Sequence, residues 1–193
     1  MSVRQKYAGS PWLYDETTGD IVGVKDPDGS ELMLMRIPYV GSFYDTTNQT
    51  ASANTATAMT VNTTDIAKGV SVVDSDKFTV TRKAIYNLQF SAQLINANTA
   101  DFEVSVWIRK NGTDIANTCT DITVPSKHGS DNGAAVAAWN FFLELNANDY
   151  VQLMWSTPST DVSVKYTAAR TSPVRPAVPS VIVTLNEVDG SYP

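Results

Sequence analysis

The most constraining feature of the chain is a strict alternation: Tyr86, Leu88, Phe90, Ala92 and Leu94 are apolar, while Asn87, Gln89, Ser91 and Gln93 between them are polar. Successive side chains of a strand point to opposite faces, so this period fits a half-buried strand and excludes an amphipathic helix. Phe102, Val104, Val106 and Ile108 repeat the pattern. Lys110-Asn111-Gly112-Thr113 follows, with the Asn-Gly pair that a tight turn with positive φ requires, and Ile115 is expected to start the return strand. Further strands are expected around Phe78/Val80, Trp139/Phe141/Leu143/Leu145, Val151/Leu153/Trp155, Val162/Val164/Tyr166 and Val181/Val183/Leu185. Residues 46–64 read as extended or loop-like, and Pro173, Pro176 and Pro179 impose an extended run before the last strand. No segment carries a helical period. With 22 Thr and 21 Val, residues suited to a pleated surface, the expectation is an all-β sandwich or barrel of eight or more strands.

Residues 1–38 differ. Trp12, Leu13, Tyr14 and the run Met33-Leu34-Met35 lie among turn formers, without a sustained period. The best local signal is a small hairpin in which Ile21-Val22-Gly23-Val24 and Leu32 to Met35 pair across the Asp28-Gly29 turn. Such a hairpin is marginal alone. Two domains are therefore expected: an arm over 1–38, ordered against another subunit or a larger assembly, and a β domain over 39–193. Trp12, Leu13, Tyr14, Ile21, Val22, Met33 and Met35 are the expected docking side chains.

Strand outer faces carry large apolar groups among amides: Trp107, Phe142 and Met154 stand opposite the core faces of their strands. Two covers are consistent with this. A second sheet or a long loop of the same subunit is one. The other is a symmetric interface in which Asn87, Gln89 and Gln93 also pair across subunits, which accounts for a charged fraction of only 18%.

Composition narrows function. The net charge is −6 and no Lys/Arg cluster stands out, so nucleic-acid binding is not expected. No apolar run approaches the roughly 20 residues of a membrane span, and no signal peptide is expected at the start. One Cys and one His cannot make a zinc site, so neither metal nor cofactor is expected. His128 sits in a turn-rich loop, and no spacing promises a serine and carboxylate beside it. Asp26-Pro27-Asp28-Gly29-Ser30-Glu31 breaks the calcium-loop spacing, and Glu103 and Glu144 lie on separate strands. No enzymatic activity is expected.

The segments Ile85 to Ala92, Trp107-Ile-Arg-Lys-Asn-Gly and Trp139 to Leu153, in this order, resemble the jelly roll of tumour necrosis factor and the complement globular heads. The likeness covers about residues 39–188; Asn148 stands where that family usually has Gly, and Ile85 where a Gly often precedes the Tyr. The segments 148–155 and Pro179-Ser-Val-Ile-Val-Thr, with Pro11-Trp-Leu-Tyr-Asp-Glu near the start, are similar to jelly-roll virion proteins of tailed bacteriophages. That resemblance implies a homotrimer. With no fibrous repeat in the leading residues, it further implies a capsid decoration or cement protein on the head surface, made in the host cytoplasm. Its arm would bind the major capsid protein or another virion protein. The alternative is a short fibre or receptor-binding protein whose loops near His128 and residues 157–160 contact host glycans.

Overall fold

The computed structural model describes residues 3–5, 12–15, 21–25, 32–33 and 38–189. The chain divides into two compact units, Met1–Pro38 and Tyr39–Pro193. The first holds β1 (Val3–Gln5), β2 (Trp12–Asp15), β3 (Ile21–Lys25) and β4 (Leu32–Met33), hydrogen-bonded in that order as an antiparallel meander. The expected hairpin is its β3–β4 pair, with Val24 opposite Met33. The leading residues are thus more than an extended arm: two additional short strands continue the sheet. Their sequence has too few residues per strand to display a period.

In the second unit the strands are β5 (Val40–Asp45), β6 (Gln49–Thr50), β7 (Thr57–Ala58), β8 (Thr63–Lys68), β9 (Val70–Val73), β10 (Lys77–Val80), β11 (Ala84–Asn96) and β12 (Phe102–Lys110). They continue with β13 (Thr113–Asp114), β14 (Thr120–Val124), β15 (Gly133–Leu145), β16 (Tyr150–Ser156), β17 (Val162–Val164), β18 (Arg170–Thr171), β19 (Val174–Arg175) and β20 (Val181–Asp189). Two seven-stranded antiparallel sheets result. One runs β6-β17-β11-β20-β5-β8 with β15 along the other side of β11, and the second runs β13-β12-β16-β10-β9 with β14 on β12 and β7 on β16.

Both sheets turn their apolar parity inward. Tyr86, Leu88, Leu94, Val183 and Leu185 from the first meet Phe78, Val106, Ile108, Leu153 and Trp155 from the second in one core, where the Phe43 and Phe78 rings lie 5.6 Å apart. The Asn-Gly turn forms as its residues require, with φ of 49° at Asn111 and 82° at Gly112. Its return strand is interrupted. After β13, Asn117 adopts φ 64°, and Thr118 Oγ1 donates to the Ile115 carbonyl and accepts from the Ile108 N–H, so pairing resumes only at β14. Residues 46–64 are not wholly loop: Gln49, Thr50, Thr57 and Ala58 add short edge pairings.

Candidate subunit interface

The outer face of the first sheet has the composition of a surface meant to be covered. Strand register places Phe142, Asn87, Asn186 and Val40 in one rank across β15, β11, β20 and β5. The next rank is Asn140, Gln89, Thr184 and Ser42, and the third is Ala138, Ser91, Ile182 and Tyr44. None of the twelve is charged. Charge returns only at the borders, where Glu144 pairs with Lys83 at 3.3 Å and Asp65 accepts from Ser42 Oγ at 3.5 Å. Within this neutral field Phe142 is 65% exposed and Ile182 38%, and one rank further on Val136, opposite Gln93 and near Lys165, is 54% exposed. Asn140 Nδ2 donates to Asn87 Oδ1 at 3.3 Å, and the Asn186 Oδ1 is shielded without a hydrogen-bond partner. Apolar groups among neutral amides, with charge confined to the rim, match the make-up of protein interfaces.

Four of the six residues expected at an interface fall on this face: Asn87, Gln89 and Gln93 on β11 and Phe142 on β15. Trp107 and Met154 do not. They are direct cross-strand partners on the outer face of the opposite sheet, where Trp107 is half-buried and Met154 is covered within the chain. Met154 is only 2% exposed, between Trp107 of β12 on one side and Ala58 of β7 on the other. Trp107 Nε1 donates to Asp114 Oδ1 at 2.8 Å, and Arg109 Nε holds the same oxygen at 2.7 Å. The hydrogen bonds from Arg109 and Trp107 hold the Asp114 carboxyl below its usual range. Residues the sequence reading missed include Val136, Asn140, Ile182 and Asn186. The signal was present: each has the parity opposite to the core residues of its own strand.

In the first unit Leu13 of β2, opposite Gln5 of β1 and Gly23 of β3, is buried. Its side chain is therefore not displayed for docking. Trp12 is exposed, and Tyr14 is half-buried. Ile21, Val22 and Met33 lie in β3 and β4 with side chains outside the described residues, as is Met35 altogether.

The remaining chemistry-bearing groups stand apart. His128 closes a tight turn by mutual backbone hydrogen bonds with Asp131, at 2.8 and 3.0 Å. Desolvation, then the Asp121 carboxylate, push the thiol of the free Cys119 up. Among the described residues no group of three or more His, Cys, Asp or Glu is placed to hold a metal ion.

Two structural clamps fix the two sheets. Arg82 pairs with the nearly buried Glu187 and stacks on the Tyr39 ring, 3.6 Å from its centroid. Asp149 accepts from Lys110 Nζ at 2.8 Å, Asn111 Nδ2 at 2.7 Å and the Asn146 N–H at 2.8 Å, locking two turns together. Burial pushes the Asp149 carboxyl up, but these hydrogen bonds and the Lys110 charge outweigh it and hold the group down to about 2.

Eiger TNF from S. frugiperda is similar with a TM-score of 0.52 and 11% identity, over 81% of this chain and 98% of that one. The fold is a TNF-like jelly roll. Murine APRIL is also similar, with a TM-score of 0.46 and 13% identity over 79% of this chain and 100% of that one. No protein-family model and no curated protein matches the chain.

Proposed function

We propose that this chain is a structural protein of a virion: a homotrimer whose jelly rolls pack through the neutral outer face of the β15-β11-β20-β5 sheet, decorating the head surface of a tailed bacteriophage. The observation that carries the reading is that face, with twelve uncharged residues in three ranks and a phenylalanine two-thirds exposed at its edge. A closed ring of three satisfies such a surface in every copy. The sequence likeness to phage jelly-roll proteins supplies the virion setting. Residues 1–38, a compact unit of their own with Trp12 at the surface, then serve as the element that engages the shell protein. Three such units per trimer bridge neighbouring capsomers and resist the pressure of packaged DNA at the seams. The role is mechanical and not catalytic.

Cryo-electron microscopy of particles carrying the chain tests this. Copies distributed over the head at local threefold positions agree with it. A few copies at one vertex or on the tail overturn it in favour of a receptor-binding protein.

A further inference from the structure

In a protein of net charge −6, residues 162–186 contain Lys165, Arg170 and Arg175 and no Asp or Glu. At the centre of this segment β18 and β19 form a separate two-stranded hairpin, whose register sets Arg170 directly opposite Arg175. Its base is fixed by reciprocal backbone bonds between Thr167 and Val178, at 2.9 and 2.8 Å. Directly opposed residues share one face of a ribbon with Cβ atoms about 5 Å apart, and like charges placed so are destabilising unless something lies between them. Among the described residues no carboxylate pairs with either arginine. Arg175 Nη1 donates to the Pro176 carbonyl at 2.9 Å, which orients the guanidinium and leaves its other donors. On the other face of the ribbon Val174, opposite Thr171, is 86% exposed, the most exposed large aliphatic side chain described.

We propose that the 167–178 hairpin is a docking element for an acidic protein surface, with a partner carboxylate held between Arg170 and Arg175. Arginine forks match carboxylates bidentately, and arginine is enriched at protein interfaces. A glycan site would need a stacking platform, and no aromatic residue lies between 167 and 178. A nucleic acid would need a longer run of cations than three. The inference goes beyond the structural role above and holds whether the chain is monomeric or trimeric.

The test uses the full chain and fluorescent poly-L-glutamate, followed by anisotropy at low salt, with heparin and single-stranded DNA as comparison probes. Poly-L-glutamate should bind and be released by added salt. R170Q/R175Q should weaken binding by about tenfold or more, while K68Q/K127Q, which removes the same net charge elsewhere, should change it less than twofold, within about 0.4 kcal/mol. Relief of the opposed charges means that R170Q/R175Q should melt no lower than the parent, which separates lost binding from lost folding. The proposal is overturned if poly-L-glutamate does not bind, if both double variants weaken it equally, or if heparin or DNA binds through these arginines more tightly than poly-L-glutamate.

Discussion

Phe142→Ala probes the neutral face with a side chain whose removal should leave the subunit itself intact. An exposed phenylalanine side chain presents about 200 Å2, so at 65% exposure the ring offers about 130 Å2 to a neighbour. Covering that area contributes about 3 kcal/mol at about 25 cal/mol per Å2. Alanine retains the Cβ, which leaves a loss of about 2 kcal/mol per subunit and about 6 kcal/mol per trimer. Six kcal/mol is about four powers of ten in the trimer dissociation constant. Because that constant scales as concentration squared, the midpoint concentration for dissociation should rise about a hundredfold. Within the subunit Phe142 faces outward, with Asn87 as its partner on β11, so unfolding of the isolated chain should change by under about 0.5 kcal/mol. Sedimentation velocity over a dilution series, with urea unfolding alongside, reads both quantities. An unchanged dissociation midpoint, with the fold intact, would refute the placement of Phe142 in an interface.

Other expectations follow from particular contacts. Trp107→Ala should lower the stability of the subunit, since it strips the cover from Met154 and a hydrogen bond from Asp114, and should leave assembly unchanged in the same dilution series. Asp149 is held at about 2 against an ordinary 3.8, so the folded chain takes up its proton less readily than the unfolded chain. The stabilisation, about 2 kcal/mol, is present above pH 3.8 and drains away as pH falls from there through about 2. Asp149→Asn should therefore cost stability at pH 7 and flatten the acid limb of a urea-unfolding series. Gly69→Ala should be among the more damaging small substitutions: φ is +69°, and the added Cβ would lie 2.0 Å from Tyr39 Cδ2. The left-handed backbone alone costs about 1–2 kcal/mol, and displacing Tyr39 from Arg82 adds to it in thermal melts.

Much of the sandwich was legible because its longest strands are buried on one side only. Residues 84–96 and 133–145 keep parity over thirteen residues each, and that parity separates Phe142 and Asn87 from the core without any knowledge of their neighbours. What parity cannot provide is which sheet a strand joins. Phe142, Trp107 and Met154 carry the same signal, an apolar group opposite the core face, yet only the pairing of β12 with β16 and of β7 with β16 reveals that the last two lie side by side on the other sheet, with Met154 buried within the chain. The short strands β6, β7, β13, β18 and β19 span two residues each, too few for any period, and their pairing is decided by what they meet in space. The opposed arginines are of this kind: five positions apart in sequence they suggest nothing, and only the hairpin register brings them face to face.

The most direct test of the neutral face is the mass of the full chain in solution, by light scattering at micromolar concentration. A folded species at three times the 20.9 kDa of one chain is the expected result. A folded, monodisperse species at 20.9 kDa would mean that water covers Phe142, Val136 and Ile182, and would contradict the account.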